Sequence, residues 1–224
     1  MNSLGINKEP RSTRVIVAMS GGVDSSVTAA LLKSEGYEVI GLTMQLFDYK
    51  AINKKGRTCC AGTDIMDARK VADKLEIPHY VINLEKEFRN EVINDFISSY
   101  EGGTTPIPCI RCNEKIKFQD LITKSKQLSA DCLATGHYVK RVEKDGRTEL
   151  HMAENTKKDQ SYFLFTITEK QLRFLRFPLG DISNKSETRN LAKKYGLSVA
   201  DKQDSQDICF IPNGSYADTI KRLK

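Results

Sequence analysis

Short apolar runs alternate with amphipathic stretches over the first 136 residues. RVIVAM (14–19) is a β-branched run that ends at Ser-Gly-Gly and predicts a buried strand. Over 24–35, Val27, Ala30 and Leu31 recur at helical spacing, and Gly36 stops the helix. EVIGLTMQLF (38–47) predicts a second strand and 48–63 a long polar loop, after which Thr63 or Asp64 caps a helix to about Leu75. Pro78 precedes a third strand, HYVINL (79–84), followed by a helix over roughly 85–99. EGGTTPIP (101–108) suits neither helix nor regular strand; 113–128 predicts a helix, and DCLATG (131–136) a strand ending in glycine.

This alternation predicts an α/β fold, a parallel sheet with helices on both faces. Ligands in such sheets bind at the carboxyl ends of strands. Ser20-Gly21-Gly22, Thr43-Met44 and Thr135-Gly136-His137 are therefore expected to meet in space. After Tyr138 the pattern changes to a hairpin around Asp145-Gly146. KKDQSYFLF follows, then a short helix, another near 186–195, and a final loop carrying Cys209. A boundary near residue 165 divides a catalytic domain (1–165) from the start of a small second domain (166–224).

Composition narrows the class. Hydrophobic residues make up 39% of the 224 and charged residues 29%, which suits a packed domain and argues against wholesale disorder. No apolar run approaches the ~18 residues of a membrane span. The N-terminus lacks the apolar core of a secretion signal, so a cytoplasmic location is expected. Six cysteines, at 59, 60, 109, 112, 132 and 209, then sit in a reducing compartment, where uneven spacing points to catalysis or metal binding more than to disulfides. The net charge of +6 falls wholly within residues 113–224, a weak pointer to an anionic macromolecule; a solvated surface is the alternative.

The sharpest motif runs from Ala18 through Met19, Ser20, Gly21, Gly22, Val23, Asp24 and Ser25 to Ser26. It lies between a predicted strand and a predicted helix. Adjacent glycines let the backbone turn tightly and aim N–H groups at one spot, and the helix N-terminus and serine hydroxyls add to them. The result is a pyrophosphate cradle. The Gly-Lys-Ser/Thr of a Walker A loop is absent, which disfavours γ-phosphate transfer. An ordinary glycine turn capped by Asp24 is the alternative.

SGGVDSS resembles the PP-loop of the N-type ATP pyrophosphatases, enzymes that adenylate a carbonyl oxygen and release pyrophosphate. TPIPCIRCNEKIKF (105–118), ATGHYV (134–139), KKDQSYFLF (157–165) and DSQDICFI (204–211) resemble, in order, segments of the tRNA-specific 2-thiouridylase family. The resemblance extends over nearly the whole chain. It implies an adenine nucleotide alpha hydrolase-like fold and replacement of the 2-oxygen of a wobble uridine in tRNA by sulfur. It also implies ATP and Mg²⁺ as cofactors, with ATP contacts at Met44 and Gly136 besides the loop. RNA contacts are implied at Ile107, Pro108, Cys109, His137, Lys158, Asp159 and Gln160. The partners implied are tRNA and a persulfide donor such as a cysteine desulfurase or a sulfur relay protein, with no membrane. Other PP-loop enzymes acting on small molecules, and an iron–sulfur-dependent tRNA thiolase, are the competing readings.

The same resemblance assigns the attacking thiol to Cys112 and the persulfide to Cys209. Cys112 follows Arg111 at a predicted helix start, and both features lower a thiol pKa. A buried packing cysteine is the alternative there, and a half-buried strand residue at Cys209. Many relatives carry an aspartate where Cys109 stands, so an acid/base role for this thiol is expected. Cys59 and Cys60 are read as lining the loop near the site, and Cys132 as core. His137 has a hydrogen-bonded turn as its alternative, Met44 ordinary core, and Lys158-Asp159-Gln160 a solvated turn. Relatives continue into a fuller central domain and a C-terminal β-barrel, which this chain is expected to lack.

Overall fold

The computed structural model describes residues 1–47, 60–204, 208–211 and 215–223. Most of the predicted 48–63 loop, with Cys59, lies outside the described residues, as does the side chain of Cys60.

Among the described residues, five strands form one parallel sheet: β1 (Arg14–Ala18), β2 (Glu38–Gln45), β3 (His79–Asn83), β4 (Cys132–Ala134) and β7 (Leu175–Arg176). Their order is β3-β2-β1-β4-β7, with β1 paired to β2 on one side and β4 on the other. Two strands, β5 (Val139–Lys144) and β6 (Arg147–Met152), make a separate antiparallel hairpin. Its turn, Asp145-Gly146, has φ of 50° and 76°, the left-handed pair that a tight two-residue turn requires. The fifth sheet strand lies beyond residue 165, so the later segment is continuous with the sheet.

Alternation along β1 sets the two faces. Val15 and Val17 point to α1 (Val23–Ser34), α2 (Cys60–Leu75) and α6 (Lys185–Lys194). Ile16 points the other way, to Phe118, Leu121 and Ile122 of α4 (108–127) and Leu172 of α5 (Glu169–Phe174). Period-2 burial of this kind puts helices on both sides, as the sequence predicts. A third cluster lies just past the ends of β2 and β3. There Phe47, Leu84, α3 (85–101) and α4 enclose Phe210, Ile211 and Leu223 of the C-terminal segment.

Three element boundaries differ from expectation. Helix α2 begins at Cys60, so Thr63 and Asp64 lie inside it and not at its start; Gly62 is tolerated in the helix at a cost of about 1 kcal/mol. Helix α4 begins at Pro108, because proline suits the first turn of a helix, where its missing N–H removes no bond. A last helix, α7 (Tyr216–Leu223), follows Ser215, whose Oγ accepts the Asp218 amide at 3.4 Å. The S-x-x-D pattern of 215–218 is a readable start signal.

Candidate active site

The β1–α1 loop is built by its glycines. Gly21 has φ +76°, and a Cβ there would lie 2.1 Å from the Asp64 carbonyl oxygen, so only glycine fits. Gly22 precedes α1 in extended conformation (φ −90°, ψ 169°), and no side chain caps the helix. The carbonyl of Gly22 instead accepts Ser26 Oγ at 2.8 Å and Ser25 Oγ at 3.2 Å, while Ser25 Oγ accepts the Ser20 amide at 3.1 Å. The serines thus fix the loop from behind. The first-turn amides of α1 keep no side-chain acceptor, which is the arrangement that binds anions.

The three strand ends do meet. Thr43 Oγ1 donates to the Met19 carbonyl at 2.8 Å. Gly136 packs so closely on the first turn of α1 that a Cβ would lie 2.8 Å from Asp24 C and Ser25 N. Met44 is half-buried between the second and third clusters.

Asp24 is held by groups the sequence does not single out. Its Oδ1 accepts Tyr138 Oη at 2.7 Å, and Lys185 Nζ reaches both carboxylate oxygens at 2.6 and 2.7 Å. Lys185 also pairs with Asp204 at 3.1 Å, and Lys202 binds the Gly21 carbonyl at 3.0 Å together with Asp64 and Asp67. A carboxylate inside an anion-binding loop needs a counter-cation, but nothing in the local sequence says which lysine supplies it.

The cysteines lie on the neighbouring cluster. Cys112 is buried in the fifth position of α4, not at its start, and Arg111 turns to Glu91 (3.4 Å) and Glu114 (3.6 Å). The expectation of a lowered thiol pKa is therefore corrected: burial pushes the Cys112 thiol up. Cys209 is exposed, while its neighbours Phe210 and Ile211 are buried. Phe210 stands edge-on to Phe88 and Phe96, at centroid distances of 5.8 and 5.2 Å, and so ties the Cys209 segment to α3. Although solvent reaches part of Cys209, the packed side chains around it push its thiol up, and Cys112 and Cys109 add like-charge repulsion. Lys117 opposes the shift at both Cys112 and Cys209. Among the described residues, no group of three or more metal-ligating side chains converges. Cys132 is fully buried in β4.

The other predicted contacts are spread around this edge. Pro108 is buried, while Ile107 and Cys109 are exposed. Lys158 is exposed and pairs with Asp204 at 3.7 Å. Asp159 accepts the Ala153 amide at 2.8 Å and Ser161 Oγ at 2.5 Å, and Gln160 Oε1 accepts the Tyr138 amide at 3.0 Å. These two side chains brace the segment that carries Lys158. His137 Nδ1 lies 2.7 Å from Thr135 Oγ1, with its ring between Phe118 and Phe177.

Burial, with the Lys117 cation, pushes the His137 imidazole down to about 3. Its neutral form belongs to the fold, whereas the unfolded chain takes a proton near pH 6.5. The stability this provides is complete above about pH 6.5 and is lost as the pH falls towards about 3. His137→Asn should flatten the acid arm of a stability–pH curve measured by urea unfolding. An equal acid slope in both proteins would remove His137 as its cause.

An uncapped glycine loop at the carboxyl end of the central strand of a β3-β2-β1-β4-β7 parallel sheet defines a PP-loop nucleotide-binding domain of the HUP type. The chain belongs to the family described as tRNA methyl transferase HUP domain, whose model matches residues 13–213. It is 58% identical over all 224 residues to the tRNA-specific 2-thiouridylase MnmA of Paracoccus denitrificans (strain Pd 1222), and equally to that of Dinoroseobacter shibae (strain DSM 16493 / NCIMB 14021 / DFL 12). In both cases the chain spans 58% of the relative's length. A solved 4-thiouridine synthetase–RNA complex with bound ATP matches 88% of this chain and 44% of its own, with a TM-score of 0.55 at 17% identity. A glutamine-dependent NAD⁺ synthetase from Acinetobacter baumannii, in complex with ADP, matches 88% of this chain and 33% of its own, with a TM-score of 0.52 at 13% identity. These two structures share the fold. No helix among the described residues is long and apolar enough to cross a membrane.

Proposed function

We propose that the chain carries the catalytic chemistry of a tRNA-uridine 2-sulfurtransferase. The observation that supports this reading is the presence in one domain of an anion-binding glycine loop and of Cys112, buried in the cluster that also holds Phe210 beside Cys209. A cradle for pyrophosphate suits activation of a carbonyl oxygen, and paired cysteines suit delivery of sulfur. The 57–58% identity to proteins named tRNA-specific 2-thiouridylase supports the substrate.

In this reading ATP is the co-substrate, held by the amides after Gly21 and bordered by Met44 and Gly136, and Mg²⁺ neutralises its phosphates. The uridine 2-oxygen attacks the α-phosphorus and pyrophosphate leaves. The terminal sulfur of a Cys209 persulfide then attacks C2, and AMP departs with the oxygen. The Cys112 thiolate attacks the Cys209 sulfur, breaking the S–S bond to the transferred atom. That atom stays on C2 as the thiocarbonyl, and a Cys112–Cys209 disulfide takes up the oxidising equivalent. Cys109 exchanges protons at the base, beside Ile107 and Pro108, while His137 and the Lys158-Asp159-Gln160 segment face the RNA.

Residues 1–165 hold the nucleotide, and 166–224 bring the persulfide cysteine. The sulfur is loaded by a cysteine desulfurase or a relay protein in the cytoplasm. The test is incubation of tRNA with the chain, ATP and a persulfide donor, followed by nucleoside analysis for 2-thiouridine.

A further inference from the structure

Transfer of sulfur between two cysteines needs an anionic sulfur, and burial opposes one at Cys112. The cation beside it in sequence, Arg111, is committed to Glu91 and Glu114. Other lysines around this edge are committed as well: Lys115 to Glu114, Lys158 to Asp204, Lys185 to Asp24 and Asp204, and Lys202 to Asp64 and Asp67. Lys117 differs. It is half-buried, and among the described residues its ammonium makes no hydrogen bond or ion pair.

The winding of α4 explains its place. Cys112–Leu121 is π-helical, so each amide reaches back five residues and residue 117 closes the turn opened at 112. At the ~100° per residue of an α-helix, five positions would put the two side chains about 140° apart. At about 80° per residue, π-winding leaves about 40° between them. Ile116, one position earlier, is buried in the same cluster as Cys112 and Phe210. Lys117 thus follows Cys112 up one face, beside the cluster that anchors the Cys209 segment.

We propose that Lys117 is the cation of the cysteine centre, a positioning residue whose charge offsets part of the cost of an anionic sulfur at Cys112 and Cys209. Lys117 is the cation that opposes desolvation at both thiols, and it acts on His137 as well. The other charged or titratable groups facing the pair do not substitute for it. Cys109 from the same helix repels a thiolate, Glu91 of α3 is held by Arg111, and His137 is neutral. The role in sulfur transfer rests on the function proposed above; the charge effect itself needs neither tRNA nor ATP.

The test is the pH profile of iodoacetamide alkylation at each cysteine of the ligand-free chain, resolved by peptide mass spectrometry. Lys117→Met should slow alkylation of both Cys112 and Cys209 near neutral pH by about fivefold to tenfold and move the profile to higher pH. Lys117→Arg should keep the native profile. Cys132, which is buried and not influenced by Lys117, reports the fold and should stay protected in every variant. An unchanged profile in Lys117→Met overturns the proposal, as does equal slowing by Met and Arg, which would mark a packing role. Should Cys132 become reactive in Lys117→Met, Lys117→Gln gives the same reading, and exposure of Cys132 there too would overturn the charge role. Native thiolation by Lys117→Met with unchanged alkylation would leave the sulfur-transfer reading standing and remove Lys117 from it. Lys117-dependent alkylation in a chain that never thiolates tRNA would do the reverse.

Discussion

Loaded with a persulfide on Cys209, a Cys112→Ser chain is expected to keep its sulfur and fail to pass it to tRNA. Single-turnover transfer should fall by a factor on the order of 10³ or more, because the thiolate proposed to break the S–S bond is gone. Cys209→Ser should not accept the sulfur at all. The packing supports this division. Cys209 is exposed, where a donor protein can reach it, and Phe210 and Ile211 anchor its segment beside the buried Cys112. Cys109→Ser should slow transfer without abolishing it, since the part proposed for Cys109 is proton exchange and not the sulfur bond. Transfer at the native rate by Cys112→Ser would remove the attacking role. Persulfide on Cys112 in the Cys209→Ser chain would reverse the assignments.

The glycine loop should separate binding from folding. A Cβ on Gly22 meets only Ser20 Oγ, at 3.5 Å, and its extended backbone suits a β-branched residue. Gly22→Val should therefore stay within about 1 kcal/mol of native stability. Its side chain would nonetheless stand where phosphate must approach the amides, and ATP affinity should fall by about a hundredfold or more, as a lost set of charge-assisted backbone bonds would give. Gly21→Ala should instead unfold at lower denaturant, losing about 3 kcal/mol through left-handed strain and collision with the Asp64 carbonyl. Equilibrium ATP titration and urea unfolding of both variants check this. Native ATP affinity in Gly22→Val would place the phosphates elsewhere.

The sheet is legible in the sequence because its longer strands are short apolar runs that end in glycine or polar residues, and the hairpin because Asp145-Gly146 admits one tight turn. Strand β7 is not, since two residues carry no periodicity. The π-winding of α4 is equally hidden. NEKIKF reads as an amphipathic helix in either winding, and nothing in its residue pattern marks the wider turn. With it goes the signal for Lys117. Helical spacing at 3.6 residues per turn sends that residue away from Cys112. Arg111, the cation adjacent in sequence, is drawn off by Glu91, which lies 20 residues earlier and meets it only in the folded chain. The glycine loop stands out because its motif is contiguous. Its counter-ions Lys185 and Lys202 do not, because they come from 161 and 181 residues downstream.

The most direct measurement is the mass of the wobble nucleoside in tRNA incubated with the chain, ATP and a persulfide donor, set against the same mixture lacking ATP. The account predicts exchange of one oxygen for one sulfur at the 2-position, only when ATP is present, with one pyrophosphate released per sulfur inserted. Unmodified tRNA, recovered from a mixture in which the chain binds ATP and carries persulfide on Cys209, would contradict it.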